Sequence, residues 1–176
     1  MTTDEYFLMP ETMLPQELVG GFVRDAPGPT PGHQSVVGRV FILLTAHAER
    51  HHAGRVWMSP IDVVLDRKTH LVVQPDVILV SEARMGIVTD RVWGPPDLVI
   101  EVLSPRPRIG SLDERIGWFA RYGVRECWLI HQDAMEIEVL EFASGSVARR
   151  TVFRPQEPLR SGVVPEFRAS PAAMFW

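Results

Sequence analysis

The sequence predicts an α/β protein, a mixed β-sheet flanked by helices. Three observations carry that expectation. The run "PDLVIEVLS", residues 96–104, is apolar on both faces, as a strand buried in the middle of a sheet is. Segments of helical period stand before and after it. The signals then order as helix, strand, helix, several strands, helix, strands, which packs helices on the faces of a sheet. The 176 residues, 45% hydrophobic and 23% charged, have the size and balance of one globular domain spanning 1–176.

Each element has its own reason. "MTTDEYFLMPETMLPQ" reads as a short helix and a turn, and "ELVGGFVRDAP", from Glu17, as a weakly alternating strand. "GPTPGHQ" is a loop by its Gly and Pro content. In "SVVGRVFILLTAHAERHHAG" the apolar residues Val36, Val37, Val40, Phe41, Leu44 and Ala48 keep helical spacing, and Gly54 is the stop. "RVWMSPIDVVLD" and "HLVVQPDVILV" flank the polar turn "DRKT" and predict a hairpin. "SEARMGIVTDRVWG" reads as a loop with a short helix. "SLDERIGWFARYGV" is a helix with a capping box, Ser111 with Glu114, and Gly123 at its end. "RECWLIH", "EIEVLEF" and "SVARRTVF" are strands, and the tail from Val163 packs a last helical turn. Pro75, Pro96 and Pro105 sit at strand starts or ends, where a missing N–H matters least.

The bulk numbers exclude some functions. A net charge of -4 argues against a strongly basic coat for nucleic acid, though a local basic patch is compatible with it. The single cysteine, Cys127, rules out an internal disulfide and a cysteine zinc cluster, and in "RECWLI" it reads as a buried, inert thiol. No charged-then-apolar leader opens the sequence and no apolar run has membrane-spanning length, so a soluble cytoplasmic protein with no membrane partner is expected. Lys68 is the only lysine, a skew toward arginine that reads as genome composition.

Within "GPPDLVIEVLSP" two carboxylates interrupt an apolar strand. Burying Glu101 costs several kcal/mol unless a partner compensates. Asp97 precedes it by an even step and shares its face of the strand. Pro75-Asp76 opens the neighbouring apolar run as Pro96-Asp97 opens this one, so Asp76 and Glu101 converge if the two strands pair near these ends. A divalent ion such as Mg²⁺ would compensate them, since hard oxygen ligands suit it. An arginine, Arg106, Arg108 or Arg115, is the other partner that would compensate Glu101, and paired carboxylates are more often salt-bridged than metal-bound.

These residues resemble the Uma-type family of restriction-endonuclease-like proteins, a branch of the PD-(D/E)XK nuclease superfamily. "GPPDLVIEVLSP" carries the resemblance most specifically. "QELVGGFV", "GHQSVVGRVFILL", "VQPDVILV", "ERIGWFARYGVRECWLI" and "VVPEFRASPAAMFW" are similar to the family's other segments. The resemblance implies a nuclease-like domain that hydrolyses DNA with Mg²⁺, or Mn²⁺ in its place. Asp76 and Glu101 would hold the ion with the Val102 carbonyl nearby, and Glu17 would assist. Asp97 and His33 are read as supporting residues; each also has a local role, Asp97 as a cap where its strand begins and His33 as a hydrogen bond at the start of its helix. A homodimer is expected from the need to cut two strands.

Two positions depart from the pattern. The superfamily lysine two residues after Glu101 is Leu103 here, and the family's lysine on the following helix is Arg115. Ser111 stands where the family carries an acid. Arginine stays protonated and cannot act as a general base. Three readings of Arg115 are open: it supplies the electrostatic part of the lysine's work, it has drifted in a catalytically silent binding or assembly module, or it simply pairs with Glu101. Arg106, Arg108, Arg121 and Arg125 are read either as phosphate contacts or as a surface paired with Asp113, Glu114 and Glu126. His47 and His51, one helical step apart with His52 beside them, read as favourable charges at a helix C-terminus rather than a metal site.

Overall fold

The computed structural model describes residues 1–10, 12, 15–104 and 111–175. In chain order it runs α1 (Thr3–Phe7), β1 (Gln16–Val19), β2 (Phe22–Asp25), α2 (Pro31–His51), β3 (Arg55–Met58), β4 (Val63–Asp66), β5 (Leu71–Val73), β6 (Val77–Val80), a 3-10 turn (Glu82–Ile87), β7 (Val92–Trp93), β8 (Leu98–Leu103), α3 (Leu112–Tyr122), β9 (Glu126–His131), β10 (Glu136–Ala143), β11 (Ser146–Phe153) and a final 3-10 turn (Pro171–Met174). Six strands form one sheet in the order β11-β10-β9-β8-β6-β3, and five form a second, β2-β1-β5-β4-β7. The first is mixed: β8 and β9 run parallel while β6 and β8 run antiparallel. The expected mixed α/β architecture is present, with two sheets where the sequence pointed to one.

The extra sheet explains where sequence reading went astray. The runs 55–66 and 71–80 each read as one strand, but Pro60 and Pro75 lack the N–H a continuous ladder needs. Each run is cut into halves that join different sheets: β3 pairs with β6 in the large sheet, β4 with β5 in the small one. "ELVGGFV" is a hairpin, not a strand; Gly20 and Gly21 both take positive φ, 58° and 86°, which a two-residue turn of this kind requires. α2 begins earlier than its apolar spacing shows, with Thr30 as cap, its hydroxyl accepting from the His33 N–H, and Pro31 in the first turn. The other boundaries of α3 follow expectation: Ser111 Oγ accepts from the Glu114 N–H and Gly123 closes the helix at φ 97°. The Glu114 carboxylate itself turns to Arg24.

The large sheet is covered on both faces. Val36, Val40 and Leu44 of α2, with Phe167 and Met174 of the tail, pack on Val77, Leu79, Ile100 and Trp128. The opposite face, through Ile78, Val99, Cys127 and Leu129, meets Ile116 and Phe119 of α3 and Val63 and Val92 of the small sheet. Glu101 lies two residues beyond Val99, shares its face of β8 and so points into this second layer, where α3 and the small sheet can reach it. Among the described residues no helix is long and apolar enough to cross a membrane.

Two consequences are measurable. Burial pushes the Cys127 thiol well above its ordinary range, so a thiol reagent such as DTNB should label the native protein no faster than it unfolds. Gly54 sits at φ 131°, and a Cβ there would lie 2.1 Å from the Val80 carbonyl oxygen. Gly54→Ala is therefore expected to cost about 3 kcal/mol, read from the urea midpoint.

Candidate active site

Register places the first pair of acids. Val77 faces Ile100 and Ile78 faces Val99 across β6 and β8, so the next opposed positions are Asp76 and Glu101. Directly opposed residues of an antiparallel pair share a face and nearly touch. Asp76 is fixed from two sides: its Oδ2 accepts from the Val102 N–H at 2.8 Å and lies 3.2 Å from His33 Nε2, which the first turn of α2 delivers. All of these groups are buried.

Glu17 arrives from β1 of the small sheet, buried, with its Oε1 accepting the Gln74 N–H at 2.7 Å. Arg115 projects from the first turn of α3 between the two sheets. Its Nη1 donates to Glu17 Oε1 and Oε2 at 2.9 and 2.7 Å. Its Nε and Nη2 donate to Glu101 Oε1 at 3.2 and 2.6 Å. The buried glutamate in the middle of the apolar strand is thus tolerated because a guanidinium bridges it to Glu17. Burial pushes Glu101 up most, Arg115 pulls it down, and Asp76 and Glu17 push it up again, so its carboxyl stands raised at about 7. The same two carboxylates hold the Arg115 guanidinium firmly protonated.

The structure therefore brings together Glu17, Asp76, Glu101, Arg115, His33 and Val102. Asp97 does not join them. It shares the face of Glu101 but lies four residues away along β8, about 13 Å at strand rise. Its carboxylate accepts the Ser81 N–H at 2.8 Å and faces Arg84 and Arg125, each at 3.4 Å, so it ties the strand's beginning to the next turn. Arg106 and Arg108 fall outside the described residues. Glu126, read as a surface partner of arginine, is buried instead and accepts from Trp128 Nε1 at 2.6 Å and the Gly162 N–H at 2.8 Å. His47 and His51 stack at 4.4 Å near the end of α2, and His51 Nδ1 reaches Glu166 at 3.2 Å. Sequence reasoning missed Gln74, whose backbone amide orients Glu17; its place beside Pro75-Asp76 was the available signal.

The architecture, a mixed sheet flanked by helices with a second sheet against it, is a restriction-endonuclease-like fold. The chain belongs to the Uma2 family, described as "Putative restriction endonuclease", whose pattern matches residues 3–172. Its fold is also that of a solved protein from Anabaena variabilis described as a putative nuclease belonging to DUF820, at a TM-score of 0.83 and 19% identity over 99% of this chain and 97% of that one. No curated protein matches the sequence.

Proposed function

We propose that this protein is a divalent-metal-dependent endonuclease that hydrolyses DNA phosphodiester bonds. The observation that supports it is the opposition of the buried Asp76 and Glu101, with the buried Glu17 joined to Glu101 through Arg115, the one guanidinium shown bonded to these acids among the described residues. Three carboxylates around one guanidinium leave room in the charge balance for a divalent cation. Among the described residues no three His, Cys, Asp or Glu side chains form a ready cage. The oxygen donors nonetheless suit Mg²⁺, or Mn²⁺ in its place, which one or two carboxylates and several waters commonly hold. Asp76 and Glu101 would bind it, with the Val102 carbonyl beside them. When bound, the ion polarises the scissile phosphate and lowers the pKa of its water.

The chain's own residues do the positioning. His33 and the Val102 amide hold Asp76, and the Gln74 amide holds Glu17. Arg115 cannot take a proton from water, but its fork donates to phosphate oxygens and stabilises their charge. DNA as partner, a homodimer that cuts both strands and a cytoplasmic location belong to the same proposal.

The metal site is tested by Mn²⁺ binding, followed by EPR. The parent should bind, and Asp76→Asn, which keeps the side chain's shape, should bind at least tenfold more weakly; equal binding contradicts the site. A second reading has an observation of its own. Arg115 is clamped by Glu17 and Glu101, which occupies the acids a metal would need and favours a catalytically silent binding or assembly module on the nuclease fold. Cleavage that appears only in Arg115→Lys would favour that reading.

A further inference from the structure

We propose that the groove beside Glu17 receives an unstacked nucleobase of the strand being cut, so that the substrate is DNA opened at the cleavage position. The inference rests on DNA being the substrate. The groove has a volume of about 510 Å³ and is lined in part by Tyr6, Phe7, Gln34, Asp62, Gln74 and Arg91. That is within the range that encloses a small organic molecule.

Its walls are continuous with the acid site. The Gln74 amide is bonded to Glu17, Gln34 follows His33 in the first turn of α2, and the Ser59 amide of the same groove is bonded to the Asp76 carbonyl at 2.9 Å. A nucleotide whose phosphate lies at Asp76 and Glu101 has its base within reach of this groove.

The lining chemistry selects a base over a phosphate. Its guanidinium, on Arg91, is engaged by Asp90 at 2.7 Å and Asp62 at 3.5 Å, and Asp62 itself lines the groove. A phosphate entering there is repelled by these carboxylates; an uncharged heterocycle is not. Arg91 lies 3.8 Å over the Phe7 ring in the groove wall, and Phe7 is braced edge-on by Trp93 at 5.9 Å, so the wall presents a guanidinium backed by an aromatic ring. Such planes stack unpaired bases. Gln74 Nε2 donates to Asp62 Oδ1 at 2.9 Å, which fixes the orientation of its amide and leaves Oε1 buried without a hydrogen-bond partner among the described residues. The exposed Gln34 offers a second amide. Amides of this kind pair with the polar edges of bases. A base reaches the groove only after leaving its stack, a step that single-stranded, gapped or mismatched DNA makes easy.

The test uses the full chain in EDTA, where cleavage plays no part in the readout. Binding of a single-stranded oligodeoxynucleotide carrying 2-aminopurine is compared with binding of the same strand in a duplex, for the parent and for Gln34→Ala. The single strand should bind at least tenfold more tightly than the duplex. Gln34→Ala should weaken single-strand binding about fivefold without changing its salt dependence, because no phosphate contact is lost. Equal affinity for the two DNAs, no effect of Gln34→Ala, a changed salt slope in that variant, or no binding of either DNA would each overturn the proposal. Single-strand binding of the expected kind without cleavage in Mg²⁺ would leave the groove standing and count against the nuclease reading alone.

Discussion

Arg115→Met is expected to cost about 3–5 kcal/mol of folding stability in EDTA and to regain part of that loss with Mn²⁺. The methionine fills much of the space and removes the charge. Glu17 and Glu101, both buried and both bonded to the guanidinium, are then left facing each other and Asp76 with no cation. Breaking a buried pair by removing one partner is far more damaging than replacing both, because the remaining charge stays in a medium that solvates it poorly. A divalent ion bound to the same acids should restore balance, and since it binds only the folded form it raises apparent stability. Urea unfolding with and without Mn²⁺ reads both effects. A variant as stable as the parent would show that the clamp holds nothing; a large loss that Mn²⁺ leaves untouched would separate the clamp from any metal role.

Acidification should stabilise the metal-free protein through Glu101, against the usual direction for a carboxylate. Its carboxyl is raised in the folded state to about 7 from an ordinary value of 4.5, chiefly by burial. The folded form therefore holds this proton more tightly than the unfolded form. That contribution is fully present below pH 4.5 and is lost as pH rises toward 7, an effect on the order of 3 kcal/mol. Glu101→Gln cannot titrate. The difference in urea midpoint between parent and Glu101→Gln, both in EDTA, should move in the variant's favour between pH 5 and pH 8. A difference that stays constant with pH would mean that Arg115 fully compensates the buried charge.

Much of this site was legible in the chain because its acids interrupt an apolar pattern. A carboxylate inside "LVIEVL" announces itself, and two Pro-Asp strand openings suggested the pairing that the register of β6 and β8 displays. Arg115 could be anticipated from its place in the first turn of a capped helix. What stayed hidden was the second sheet. Pro75 marked a strand start, but strand periodicity describes faces and not partners, so nothing in residues 55–66 or 71–80 says that the two halves of each run will join different sheets. Glu17 meets Arg115 only because that second sheet exists, and the double clamp on the guanidinium was illegible for the same reason. Asp97 shows the converse: alternation puts it on the face of Glu101, but strand rise carries it out of reach, to Ser81, Arg84 and Arg125. Glu126 looked like surface charge because a glutamate's partners here, an indole N–H and a distant backbone amide, leave no trace in local sequence.

The most direct test of a metal-dependent nuclease at Asp76 and Glu101 is a plasmid-cleavage assay in Mg²⁺ and in Mn²⁺ with Glu101→Ala prepared alongside. The account predicts nicking or linearisation by the parent, none by folded Glu101→Ala, and none by either in EDTA. Intact plasmid with the folded parent at high concentration, or equal cleavage by parent and Glu101→Ala, would contradict it.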